Sequence, residues 1–181
     1  TFESNGSDFY AHAHRNLSQA IEFSGGSLGL GLSYAVGVAL ACKKAQINNS
    51  VFVLVGDGEC DEGVVWEACM AAANFSLSNL TLIVDCNGMQ SDGKKSDIMN
   101  HFSLSDKFRA FGFNAVEIDG HNYEAIERAL TIQHESNPLA VVANTTKGRG
   151  VSFMEGNRDW HHGILTPELY QQGLIELKEK S

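Results

Sequence analysis

Between Val51 and Asn87 two apolar runs flank a stretch of helix formers, and this alternation limits the folds open to the chain more than any other feature. The first run, Val51-Phe-Val-Leu-Val55, has no polar residue, as in parallel strands covered on both faces. It stops at Gly56-Asp57-Gly58. The second, Leu80-Thr-Leu-Ile-Val-Asp-Cys86, stops at Asn87-Gly88. The segment between, Glu62 to Leu77, holds Ala68, Met70, Ala71, Ala72 and Ala73, and so favours helix. Two strands joined by one right-handed crossover run parallel. Asp57 and Asn87 therefore emerge together at the carboxyl edge of a sheet, where open α/β folds hold ligands.

The rest of the chain extends the alternation. Leu32 to Ala45, small and aliphatic, reads as a buried helix, with Lys43 and Lys44 at its end matching the helix dipole. Ser103 to Phe111 reads as a short helix stopped by Gly112, and Ala115 to Ile118 as a strand. Tyr123 to His134 reads as an amphipathic helix, Leu139 to Ala143 as a strand, and Thr166-Pro167-Glu168 as the capped start of a last helix with a solvated end at Glu176 to Lys180. The polar first twenty residues read as a loop. The expected fold is α/β, a doubly wound, mostly parallel sheet with helices on both faces, in a single domain over residues 1–181.

Charge and composition narrow the function. A formal charge of −9 leaves no basic stripe for nucleic acid or for an anionic membrane. The uncharged run Phe23 to Cys42 is too rich in glycine and serine for a membrane span. Cys42, Cys60, Cys69 and Cys86 lack the paired spacing of a zinc or redox site, so reduced, buried thiols are expected. The chain opens without a signal or targeting segment, which points to the cytoplasm. It begins at threonine, not methionine, and residues upstream are expected to be missing.

A carboxylate and an amide oxygen, beside glycines that let backbone come close, suit magnesium. That ion takes near-octahedral oxygen ligands and shares its shell with phosphate oxygens and water, so a bound phosphate compound is implied. A calcium loop from Asp85 fails, because Met89 replaces a ligand and Ser96 stands where the bidentate glutamate belongs. A dinucleotide fingerprint fails at its third glycine, both in Gly29-Leu-Gly31 and in Gly56-Asp-Gly58. The glycine-rich turn Gly25 to Gly31, opening a helix, offers free N–H groups to an anion, although close helix packing explains it equally well.

Gly56-Asp57-Gly58, the thirty-residue step and Asn87-Gly88 resemble the thiamine diphosphate motif. Gly-Asp-Gly-Glu59 followed by Glu62-Gly63-Val-Val-Trp66-Glu67-Ala68 resembles transketolase, and more narrowly the amino-terminal subunit of split bacterial transketolases. The resemblance implies a thiamine diphosphate-binding fold of the PP type, with a helical segment before Thr1. It implies that Asp57, Asn87 and the Met89 carbonyl bind magnesium, or calcium or manganese in its place. Gly56, Asp57, Gly58, Glu59, Asn87 and Met89 would hold the cofactor, joined by Gly26 and Leu28 of the glycine-rich turn.

The resemblance also supplies a catalytic set. Phe9-Tyr10-Ala11-His12 is similar to the family's Leu-Pro-Gly-His, which makes His12 a residue facing cofactor and substrate, with His14 its rival. Trp160-His161-His162-Gly163 makes His161 a second, and Glu62 matches a glutamate at the family's dimer interface. Asp119-Gly120-His121 has a family counterpart, although a plain turn explains it too. The implied activity is transfer of a two-carbon ketol unit between phosphorylated sugars. No second domain fits in 181 residues, so the family's pyrimidine-binding domain is expected to lie on another chain. The chain is therefore expected to be inactive alone and to complete its sites in an oligomer with a carboxy-terminal, pyrimidine-domain subunit. Alternatives are another thiamine diphosphate enzyme, of the 2-oxoacid dehydrogenase or deoxyxylulose phosphate synthase type, and a non-catalytic binding module.

Overall fold

The computed structural model describes residues 5–132 and 134–179. Residues 1–4 of the expected loop, Gln133 of the expected helix and Lys180 of the solvated end lie outside them. In chain order the elements are α1 (Leu30–Lys44), β1 (Val51–Gly56), α2 (Gly63–Asn74), β2 (Leu80–Cys86), β3 (Met89–Gln90), β4 (Gly93–Lys94), α3 (Lys95–Ile98), α4 (Leu104–Ala110), β5 (Asn114–Asp119), α5 (Tyr123–Leu130), β6 (Leu139–Asn144) and α6 (Pro167–Glu179). Four strands form a parallel sheet in the order β1-β2-β6-β5, and β3 and β4 make a separate two-residue hairpin. The α/β class and the parallel sheet follow the sequence reading.

Side chains alternate across the two central strands, as the pleat requires. Leu80, Leu82 and Val84 of β2 and Ala140 and Val142 of β6 enter the main core with α1, α2 and α4. Leu139 and Val141 face the other way and close a smaller core with Ala129 of α5. Helices thus cover both faces, and β6 is buried along its length up to Asn144. An aromatic stack joins α2 to α4: Trp66 lies 5.2 Å from Phe108, its indole N–H donating to the Cys60 carbonyl at 2.9 Å. Lys43 reaches past its own helix and donates to the Phe75 and Ser76 carbonyls, at 2.8 and 2.7 Å, closing the end of α2.

The structure departs from the sequence reading in three places. β1 is an edge strand with one covered face: Phe52 and Leu54, alternating with inward Val53 and Val55, are 53% and 67% exposed. An unbroken apolar run cannot by itself distinguish a strand buried on both faces from this one. Helix limits also shift. α2 ends at Asn74 and α5 at Leu130, while α1 starts at Leu30, directly after Gly29 in the left-handed region at φ +82°. Third, the loop after Asn87 folds into the β3–β4 hairpin and α3, too short for periodicity to reveal. The first residues form a loop with one turn of 3-10 helix at Leu17–Gln19.

All four cysteines are free thiols, and burial pushes Cys69 up to about 12 and Cys86 up to about 11. Phe108 is fully buried between Trp66 and Phe113. Truncation to alanine removes packing that the surrounding layers cannot refill, so Phe108→Ala should cost about 3–5 kcal/mol in urea denaturation at constant m-value.

Candidate functional site

The pairing of β1 with β2 sets the geometry. Gly56 lies opposite Asp85, and one residue on the Asp57 N–H donates to the Asp85 carbonyl at 3.0 Å. The Asp57 carboxylate turns back on the same edge, where Oδ1 accepts from Gly58 N at 2.9 Å and Oδ2 from Gly88 N at 2.9 Å. The residue after Asn87 therefore touches Asp57. Asn87 is oriented at both ends of its amide: Oδ1 accepts from Met89 N at 3.0 Å, and Nδ2 donates to Asp85 Oδ2 at 3.0 Å. Asp85 is held in turn by the Thr145 hydroxyl at the end of β6.

Asp57 is 2% exposed and, among the described residues, bonded to backbone N–H groups and to no cationic side chain. Burial pushes its carboxyl above the ordinary range, and the two backbone bonds oppose that. A buried carboxylate without a contacting cation is costly unless a cation joins it. No group of three His, Cys, Asp or Glu capable of holding a metal occurs among the described residues. A cation here would use a mixed oxygen set: the Asp57 carboxylate, the Asn87 amide oxygen and a backbone carbonyl such as that of Met89. Hard oxygen donors in that number fit magnesium with room for phosphate oxygens and water.

These residues line one cavity of about 340 Å³, together with Leu28, Gly56, Gly58, Glu59 and His161. Four more of its residues carried no assignment from sequence: Asp85, Gln90, Ser91 and Lys147. Asp85 could have been noticed as a second acid two residues before Asn87 at the end of a strand. Lys147 could not, because a loop lysine has no periodicity to betray its direction.

The other predicted residues, Leu28 and Glu59 apart, fall outside this cavity. His12 and Gly26 line a larger cavity of about 730 Å³, whose wall it shares with the first through Leu28 and Glu59. The His12 ring packs on Gly26, where an added Cβ would stand 3.3 Å from it. Glu59 is committed to the backbone, accepting from Gly29 N at 2.7 Å and Gly56 N at 3.1 Å, so that it ties the glycine-rich turn to the end of β1. Glu62 occupies the exposed N-cap position of α2 and lines neither cavity. His14 pairs edge-on with Tyr10, and His162 lines neither cavity. Asp119-Gly120-His121 acts as a brace, with His121 Nε2 accepting from Thr146 N at 2.7 Å and no room for a Cβ at Gly120.

Residues 1–177 match the family model described as "Transketolase, thiamine diphosphate binding domain". The chain belongs to the transketolase family. It is 38% identical over 181 residues to an apulose-4-phosphate transketolase subunit from Actinobacillus succinogenes, covering 99% of this chain and 66% of that protein. Against a 6-deoxy-6-sulfo-D-fructose transketolase subunit from a Clostridium species it is 39% identical over 174 residues, covering 94% and 62% respectively. The fold superposes on a Campylobacter jejuni transketolase with a TM-score of 0.89 at 31% identity, over 98% of this chain and 29% of that one. The chain thus spans no more than about two thirds of the curated relatives' length. No helix among the described residues is long and apolar enough to cross a membrane.

Beside the cavity a buried charge cluster anchors the β3–β4 hairpin. Lys95, 6% exposed, donates to both Asp61 oxygens at 2.6 and 2.7 Å and to the Met99 carbonyl at 2.7 Å. His101 Nε2 lies 3.0 Å from the Lys95 ammonium and also contacts Asp61 Oδ1, while its buried Nδ1 has no partner among the described residues. Burial, and then the Lys95 charge, hold His101 below the ordinary histidine value, against the pull of Asp61. Burial raises Asp61, but its bonds to Lys95 and His101 outweigh that and leave it below the usual carboxylate value. A histidine whose folded value is lowered favours the unfolded chain once protonated, so stability should decline as pH falls below the unfolded value, near 6.5. The Asp61 contribution persists there and is lost only on further acidification, through its lowered folded value. Urea midpoints should fall between about pH 7 and pH 5, the window set by the unfolded histidine value, and His101→Asn should flatten that dependence.

Proposed function

We propose that this chain is the diphosphate- and cation-binding part of a transketolase-type enzyme that moves a two-carbon ketol unit between phosphorylated sugars. The observation that carries the reading is the meeting of Asp57, Asn87, Met89 and His161 in one cavity at the carboxyl edge of the sheet. The names of the relatives, transketolase subunits for apulose 4-phosphate and for a sulfofructose, support the reaction class.

Thiamine diphosphate, when bound, would supply a nucleophilic carbon and an electron sink for ketol transfer. The chain's own residues do the binding and orienting. Asp57, Asn87 and the Met89 carbonyl would hold magnesium, and through it the diphosphate. Backbone N–H groups fix the Asp57 and Asn87 acceptors before any ligand arrives, which lowers the entropy lost on binding. Lys147 adds a positive charge to a wall that also carries Asp57, Glu59 and Asp85. His161 lines the same cavity and would donate to a phosphoryl or sugar oxygen.

A pyrimidine-domain partner would complete the site and lend the glutamate that contacts the aminopyrimidine; the naming of the relatives as subunits supports this. The full chain, with that partner, should bind thiamine diphosphate only when magnesium is present. Asp57→Asn or Asn87→Ala should weaken that binding at least a hundredfold in calorimetric titration while leaving the circular dichroism spectrum intact. Undiminished cofactor affinity in both variants would overturn the reading.

A further inference from the structure

The cation ligands sit on two separate segments, and something must hold those segments in register. One segment runs from Asp57 through the 3-10 turn Glu59–Asp61; the other runs from Asn87 through the hairpin into α3. Besides the packing of Gln90 on Gly58, two hydrogen-bonded connections join them among the described residues. At the cavity the Gly88 N–H reaches Asp57 Oδ2 at 2.9 Å. Farther out, Lys95 grips both oxygens of Asp61 and the carbonyl of Met99. The Lys95 backbone N–H also donates to the Gly88 carbonyl at 2.8 Å, closing the base of the hairpin directly against the glycine that holds Asp57. The tip is pinned separately, by Arg158 Nη1 to the Asp92 carbonyl at 3.0 Å.

We propose that Lys95, clamped by Asp61 and backed by His101, is a positioning residue that holds the Gly88–Met89 backbone at the distance from Asp57 that a divalent cation requires. The inference rests on the functional reading above. Lys95 does not line the Asp57–Asn87 cavity but shares a neighbouring one with Asp57 and Gly88; its positive charge there opposes a second cation, so weaker magnesium binding on its removal would have to come through the backbone. Its three side-chain donors are all used, two on a carboxylate that ends the turn of the other segment and one inside its own loop. A side chain so committed cannot swing away without leaving the Met99 carbonyl without this donor and one Asp61 oxygen without its cation in a largely buried position. Gly88 sits in the left-handed region at φ +72°, so the turn joining Asn87 to Met89 has its own narrow geometry, and displacement at its base moves both. Magnesium tolerates such displacement poorly, because its octahedral shell is small and rigid.

The test uses the full chain with its pyrimidine-domain partner, and magnesium with thiamine diphosphate present at saturation. Lys95→Met should weaken magnesium binding at least tenfold in calorimetry well below its melting temperature, and should speed hydrogen exchange at the Gly88 and Lys95 amides even without ligand. Val141→Ala, in the small core under α5, serves as the control for lost stability. Matched to Lys95→Met by its drop in melting temperature, it should bind magnesium within twofold of the wild type. If Lys95→Met does not fold, Asp61→Asn, which keeps one acceptor, carries the same test, with an expected loss of at least threefold. Affinity within twofold of wild type in the clamp variant, or an equal loss in Val141→Ala, overturns the proposal. A wild-type chain that binds no magnesium even with its partner overturns the functional reading instead, and the amide exchange at Gly88 still reports on the clamp.

Discussion

The backbone bond from Asp57 N to the Asp85 carbonyl is the constraint on which the site depends. It is the last rung of a parallel ladder that begins at Val51 and Leu80, and it lies one residue beyond the point where β1 ceases to be a strand. Because side chains alternate with a period of two, sliding this pairing by one residue would turn Asp57 away from Asn87 and drive the bulkier Phe52 and Leu54 inward in place of Val53 and Val55. Hydrophobic burial of Val53, Val55, Leu82 and Val84 therefore fixes the register, and the register fixes the chemistry.

Around that rung the polar groups are arranged so that few side chains are left to choose their own positions. Asp57 and Asn87 are held by N–H groups, and Asn87 is held also by Asp85, itself held by Thr145 just beyond the adjacent strand β6. Glu59 performs a similar task one layer back, each oxygen taking an N–H from a different segment. A carboxylate bridging the end of a strand and the start of a helix stands where an isolated charge would be expensive, and two donors offset the cost.

Much of this was legible in the sequence, and for identifiable reasons. Strands β2 and β6, the crossover helix and the placement of Asp57 and Asn87 on one edge follow from apolar runs, bounding turn residues and the handedness of crossovers. The open face of β1 was not, since Phe52 and Leu54 have the same composition whether covered or bare. Nor was the contribution of Lys147, of the β3–β4 hairpin or of the Lys95 cluster, whose partners lie 34 and 6 residues away in the chain. Long-range pairs of this kind leave no local pattern. Glu59 shows a subtler limit: sequence located it beside the cavity but could not tell a ligand contact from a backbone tie. The place of His12 in the neighbouring cavity could not be read either, because a loop without periodicity gives no direction.

The bare face of β1 has a consequence for how the chain behaves in concentrated solution. An edge strand that pairs with a single strand among the described residues, with two large apolar side chains on its open face, offers a template for further strands to join. No proline interrupts Val51–Gly56, and no charge lies within it, so the usual deterrents to such growth are missing from the strand itself. The balance between a dispersed chain and an aggregated one will accordingly be governed by what shields this strand, more than by the thermodynamic strength of the fold behind it.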